Sequence, residues 1–314
     1  MGKYIIKRLL QTVIILLIIS VIAFSIIHLI PGDPVYAMLG SEISLEYHDQ
    51  VYVSMGLDKP LVAQYFFWLG NILKGDLGYS FYFRQNVADV VASRLPTTLY
   101  LGLLSAVLSI FIGIFFGIIS AVKRGSGLDS VITVLTNIGT ATPIFWLAVV
   151  LILVFGLSLK WLPVYGFTLP WVDFGKSIKQ TILPVICMSV GGIATYTRQT
   201  RSSMLEVIRQ DYIRTARSKG VKESDIIKRH AVKNALIPIL TLIGITLRNS
   251  IGGSAIVETV FNIKGLGQIM VTSLTNRDYT TLQTSLLLLA AVTCICNLLV
   301  DIAYAYADPR IRLQ

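Results

Sequence analysis

The sequence predicts an all-α polytopic membrane protein with six transmembrane helices, and three observations carry that prediction. The 314 residues are 54% hydrophobic and only 14% charged, against about 25% charged in an ordinary soluble domain. The mean hydropathy is +0.71. Six separate stretches are long and apolar enough to cross a hydrocarbon layer of about 30 Å as helices. Together these exclude a disordered chain and an ordinary cytosolic enzyme. The net charge of +10 implies no nucleic-acid partner, because the basic residues fall in loops between apolar stretches.

The stretches run approximately over 9–30, 98–122, 131–157, 180–197, 236–257 and 283–305. The first follows Lys3, Lys7 and Arg8, as a signal peptide would. Its apolar run exceeds the roughly 7–15 residues of a cleaved leader, so it reads as an uncleaved anchor. Orientation follows from the distribution of Lys and Arg. One set of loops holds 17 of the 27 and the other holds nine, with Arg248 inside the fifth stretch. The richer set should be cytoplasmic, which places both termini inside.

The chain divides into an N-terminal part, 1–97, and a five-helix core, 98–314. The N-terminal part joins the anchor helix to an external segment punctuated by Pro31-Gly32-Asp33-Pro34, Asp58-Lys59-Pro60 and Gly75-Asp76. Within it, Leu61–Leu73 is too short to span. Leu61, Tyr65, Leu69 and Ile72 share one helical face. This suits a helix in the outer interface, or one packed on the bundle, with Asp58 as its cap and Gly75 as its stop.

The loop 198–235 is the sizeable cytoplasmic feature. It holds ten basic residues against Glu206, Asp211, Glu223 and Asp225. Leu205, Ile208, Tyr212 and Ala216 recur at helical spacing. Gly220 interrupts them as a C-terminal helix stop would. Ser224 or Asp225 can cap a second helix running into Pro238. The loop therefore reads as helix, glycine turn, helix. Such a unit can transmit a push, and its basic face can also dock on anionic lipid.

Its residues add a resemblance. Asp211-Tyr212-Ile213-Arg214-Thr215-Ala216-Arg217-Ser218-Lys219-Gly220, followed by His230-Ala231-Val232-Lys233-Asn234, resembles the coupling loop of binding-protein-dependent ABC importer permeases. Pro31-Gly32-Asp33-Pro34, Lys74-Gly75-Asp76-Leu77-Gly78, Val257-Glu258-Thr259-Val260-Phe261 and Asp308-Pro309-Arg310-Ile311-Arg312 are similar to the dipeptide, oligopeptide and nickel branch, its first-type permease. The resemblance implies a type I importer architecture in a bacterial or archaeal inner membrane. It also implies a second homologous permease, two ATP-binding subunits that carry ATP and Mg, and an extracytoplasmic solute-binding protein. Asp211, Arg214, Thr215, Ala216, Arg217, Lys219, Gly220, His230 and Asn234 would form the ATPase-coupling loop. The cargo would be a dipeptide or oligopeptide, or alternatively a nickel chelate. The loop departs from the general permease pattern at Arg214, Thr215 and His230.

The chain has no GxxxxGK[ST], HExxH or GxSxG pattern, so the energy for transport should come from a partner chain or from an ion gradient, and the resemblance implies partner chains that hydrolyse ATP. His28, His48 and His230 are far apart in the topology, and Cys187, Cys294 and Cys296 form no CxxC pair. Neither set suggests a metal or a resident cofactor. Arg248 is costly to place in lipid and should face protein or water. With Asn249 and Glu258 it is a candidate for the translocation pathway. A gradient-driven carrier is the rival class; it would call for paired intramembrane carboxylates and inverted repeats. Gly113-x-x-x-Gly117 permits close helix packing, and Pro143 and Pro184 are candidate kinks.

Overall fold

The computed structural model describes residues 2–29, 32–252 and 254–307; the side chain of Arg248 lies outside the described set, as does the motif Asp308–Arg312. The chain is a helical assembly whose one sheet, among the described residues, is a two-stranded hairpin. Helix α1 (Gly2–Leu29) is followed by α2 (Pro34–Leu39), α3 (Leu45–Ser54) and α4 (Leu61–Leu73). The hairpin pairs β1 (Tyr79–Ser80) with β2 (Gln85–Asn86) and leads into α5 (Val87–Val122). Then come α6 (Gly127–Ala141), α7 (Ile144–Leu151) with a π-helical extension over Ile152–Ser158, and α8 (Phe174–Ile208). The loop region holds α9 (Asp211–Ser218), α10 (Glu223–Asp225), a π-helical turn over Ile226–Ala231, and α11 (Val232–Ala235). The chain continues through α12 (Ile237–Gly252), α13 (Ser254–Val260), α14 (Leu266–Thr275) and α15 (Tyr279–Ala307).

The described residues of all six apolar stretches are largely helical, but the third is not a straight rod. Among the described residues, four helices meet the length and hydropathy of a span: Ile5–Leu29, Val87–Val122, Phe174–Ile208 and Tyr279–Ile302. The stretch 131–157 is a broken pair, bent by 107° between α6 and α7. Proline explains the break. Pro143 lacks an N–H and forces the residue before it out of the helical region, and Thr142 accordingly has φ −78° and ψ 121°. Pro184 has no such effect on continuity, since α8 runs through it. Within the stretch 236–257, helix is described over Ile237–Gly252 and again from Ser254.

The most extensive interface joins α5 to α8, and glycine makes it close. A Cβ on Gly113 would lie 2.4 Å from Tyr196 Cβ and 2.9 Å from the Ile193 carbonyl oxygen; one on Gly117 would lie 2.4 Å from Thr200 Cβ. The predicted small-residue pair is therefore the contact surface itself. Serine hydroxyls reinforce it: Ser109 donates to the Ser189 carbonyl, and Ser189 donates to the Ser105 carbonyl, both at 3.2 Å. The adjoining apolar core gathers Leu101, Leu183, Val257, Phe261 and Ile263. Helix α1 packs on α15. Arg8 pairs with Asp301 at 3.2 Å, and Gln283 donates to the Ala23 carbonyl at 3.0 Å.

The external segment has more structure than its punctuation suggests. Asp33 caps α2 by accepting from the Val35 and Tyr36 amides. Its other oxygen meets His48 Nε2 at 3.1 Å, and His48 Nδ1 meets Asp49 at 3.0 Å. Helix α4 has the expected bounds, but its N-cap is Pro60, with no side-chain cap; Asp58 does not serve. Its most buried residue is Gln64, which donates to the Leu57 and Lys59 carbonyls and whose Oε1 accepts from His28 Nε2 at 2.8 Å. Leu61 is exposed. The Gln64 amide satisfies the chain turn before α4, while Tyr65 and Trp68 pack against Phe24 of α1.

Candidate functional site

The loop 198–235 folds as helix, turn and helix around a glycine. Helix α9 begins at Asp211 and ends with Gly220 at φ +76°. The Val221 amide donates to the Ala216 carbonyl and the Gly220 amide to the Arg217 carbonyl. This pair of bonds closes a Schellman turn, which places its C′ residue in the left-handed region that only glycine enters at no steric cost. The return helix starts at Glu223 with Lys222 at its N-cap, so neither Ser224 nor Asp225 caps it. The return helix passes through a π-helical turn at Ile226–Ala231, a wide turn often found where a helix has a special task.

Two polar clasps and one apolar plug hold the halves together. Arg217 reaches across the turn to Glu223 with two bonds, Nε to Oε2 at 3.0 Å and Nη2 to Oε1 at 2.6 Å. The bidentate hydrogen bonding of Arg217 holds the Glu223 carboxyl below its ordinary range and raises the Arg217 guanidinium. Asn234 Nδ2 donates to the Tyr212 hydroxyl and the His230 carbonyl, both at 2.9 Å. Between the clasps, Ile213 and Ile226 are fully buried. The amphipathic face predicted through Tyr212 and Ala216 is thus shifted by one residue, because the chain breaks after Ile208 and restarts at Asp211. Below this unit Ala121, Met204, Ala231 and Ala235 form a small core that ties it to α5 and α8.

The remaining loop candidates lie outward. Asp211 and Arg214 are exposed and 3.8 Å apart, Thr215 donates to the Asp211 carbonyl, and Lys219 and His230 are exposed. Glu223 escaped the sequence reading. Its signal is Arg-x-x-Gly-x-x-Glu, opposite charges spaced equally about the turn glycine. Asp129 was missed too. It is 5% exposed and accepts from Arg201 Nε and Nη2 at 2.9 Å each, from the Gly125 amide at 3.0 Å, and from Ser120. This latch fixes the ends of α5 and α6 to α8, just before α8 gives way to α9.

Two of the three pathway candidates neighbour each other on α12, and the third lies on α13. Arg248 belongs to α12, Asn249 is exposed, and Glu258 is fully buried. Glu258 accepts from the Thr98 hydroxyl at 2.7 Å and the Gln268 amide at 2.9 Å, while Thr98 Oγ1 accepts from the Leu266 amide at 2.8 Å. Gly265 lies so close that a Cβ there would sit 2.4 Å from the Glu258 carboxyl carbon. These bonds cap the start of α14 and spend the carboxylate on joining α5, α13 and α14.

Long apolar helices, one of them broken at a proline, with a braced helical pair at one end of the bundle, define a membrane-embedded transport subunit. The chain belongs to the family of binding-protein-dependent transport system inner membrane components, whose model matches residues 113–313; the model of the N-terminal region of such components matches residues 1–102. It is an inner-membrane permease of the ABC importer class. Among its relatives, the oligopeptide transport system permease protein AppB of Bacillus subtilis is 40% identical over 99% of this chain and 100% of that protein. A Brucella suis protein that carries the name peptide permease is 38% identical over the whole of both chains. The fold is similar to that of a chain of the MetNI methionine ABC transporter, with a TM-score of 0.58 and 21% identity over 70% of this chain and 96% of that one.

Proposed function

We infer that this chain carries peptides inward through alternating access, powered by ATP hydrolysed on partner subunits. Peptide cargo is supported by relatives at 38–40% identity over full length that are named for peptide or oligopeptide transport. The observation that carries the mechanism is the braced loop. Arg217–Glu223 and Tyr212–Asn234 clasp α9 to the return helix, and the small core beneath clasps both to the bundle. A helix so held moves as one body with the membrane helices.

In this reading the loop lies in the cytoplasm, as do both termini, and α9 sits in a groove of an ATPase subunit. The exposed Asp211, Arg214, Thr215, Lys219 and His230 make the contact, and Gly220 shapes it. ATP binding draws two ATPase subunits together. Each α9 follows its groove, and the attached helices turn to open the pathway outward. Only a contact that differs between the two states can bias the equilibrium, and the rigid loop supplies it. A second homologous permease completes the pathway, and an external solute-binding protein delivers cargo. Arg248 and Asn249 of α12 are assigned to the pathway in this scheme, while Glu258 supports its wall.

The test is purification of the tagged chain from native membranes, followed by reconstitution. A stoichiometric ATPase subunit and ATP-dependent peptide uptake are expected. Concentrative uptake by this chain alone, driven by an ion gradient, would sink the proposal. Mass spectrometry of ligand bound to the co-purified solute-binding protein identifies the cargo, and a nickel chelate there would overturn the peptide assignment.

A further inference from the structure

A cavity of about 690 Å³ opens between α6 and α8, at the end of the bundle nearest α9. Its α8 wall carries Arg198, Arg201 and Arg209, spaced so that all three project from one helical face, with Glu206 as the one carboxylate. Arg201 is already committed to Asp129. Arg198 and Arg209 are exposed and have no acidic partner within ion-pair distance among the described residues. The α6 wall presents Thr133, Thr136 and Asn137. Just beyond it, Val131, Val134, Leu135 and Ile138 of α6 are each at least 55% exposed.

We propose that this cavity binds the phosphate headgroup of an anionic phospholipid from the cytoplasmic leaflet. The inference rests on the orientation given under Proposed function. Two guanidiniums without acidic partners, flanked by hydroxyl and amide donors, match a phosphodiester. Basic recesses between membrane helices on the cytoplasmic side are where such headgroups dock. A free phosphate would use the same polar groups. The continuous apolar face of α6 selects the lipid, because it offers acyl chains a path away from the cavity. The site also has a consequence for transport. Arg209 lies at the break between α8 and α9, so a headgroup held there braces the junction through which the loop acts on the bundle.

The intact complex is tested with three probes: phosphatidylglycerol, phosphatidylcholine and inorganic phosphate. Native mass spectrometry should show retained phosphatidylglycerol, little phosphatidylcholine, and no displacement by millimolar phosphate. In the double variant Arg198→Gln/Arg209→Gln, which leaves the Asp129–Arg201 latch intact, phosphatidylglycerol binding should fall roughly thirtyfold, since each guanidinium near an anionic surface is worth about a fivefold factor. The control Lys228→Gln/Arg229→Gln removes two charges of the same loop that lie off the cavity. Equal loss in the control would show diffuse attraction to lipid and overturn the site. So would unchanged binding in the cavity variant, as expected if a second permease subunit covers the groove, or displacement by free phosphate. ATP-driven uptake is measured on the same samples. Intact uptake with no lipid dependence refutes the lipid site and leaves the importer standing, whereas absent uptake in every lipid counts against the importer itself.

Discussion

Replacing Glu258 separates a wall-supporting role from a cargo-binding one. The carboxylate accepts from two buried donors, the Thr98 hydroxyl and the Gln268 amide, and Thr98 Oγ1 is already occupied by the Leu266 amide. In Glu258→Gln, turning the amide oxygen toward Thr98 puts an NH₂ against the Gln268 N–H. Turning it toward Gln268 puts the NH₂ against Thr98 Oγ1, whose own proton then has no acceptor. Either way one buried donor loses its partner, at about 1–3 kcal/mol. Glu258→Ala leaves both donors unmet and opens a cavity as well, so about 3–5 kcal/mol is expected. Amide hydrogen exchange at residues 265–268, with thermal unfolding of the detergent-solubilised complex, measures the loss. Protection should fall stepwise from wild type to Gln to Ala. Wild-type protection in Glu258→Gln, accompanied by a changed cargo affinity, would refute the clasp and return Glu258 to the pathway.

Gly113→Ala should lower the unfolding temperature, because the new Cβ meets the Ile193 carbonyl oxygen on the helix backbone of α8, which cannot step aside; about 1–3 kcal/mol of overpacking is expected. At Gly220 a Cβ meets no atom within 4 Å, so Gly220→Val acts through backbone strain of about 1–2 kcal/mol or more. The complex should assemble but hydrolyse ATP with little uptake, and Gly220→Asn should be milder; full uptake by the Val variant would dismiss the turn's role. Glu223→Gln breaks a solvent-exposed pair worth about 1 kcal/mol or less in stability, so its signature should be a lower ratio of cargo moved to ATP consumed at nearly unchanged melting temperature. The external clip of Asp33, His48 and Asp49 should depend on pH. Hydrogen bonding to Asp49, then to Asp33, raises the His48 pKa against desolvation. Desolvation of Asp33 is outweighed by its bonds from Tyr36, His48 and Val35, and its pKa is lowered. The His48 contribution is complete below its ordinary value and lost as pH rises through the raised one. The Asp33 contribution is complete above its ordinary value and lost as pH falls through the lowered one. Amides of 33–54 should therefore exchange most slowly, after correction for intrinsic rates, between about pH 4 and 6.5.

Much of this protein is legible from residue order alone. Apolar runs of about twenty residues dictate helices in lipid, because an unpaired backbone cannot survive there. Gly220 announces its own turn, since local sterics act within a few residues. The string from Asp211 to Gly220, together with the other motifs in their order along the chain, carries the resemblance to the family. What only the tertiary structure decided lies in pairings across distance. That Gly113 meets Tyr196, that Asp129 meets Arg201, and that Glu258 spans 160 residues to reach Thr98 are contacts no local pattern contains. The same holds for which candidate proline breaks its helix, since Pro143 ends α6 while α8 runs on through Pro184. Hydropathy measures how well a segment dissolves in lipid, and a bend or a buried carboxylate is permitted only by the neighbours that the fold brings to it.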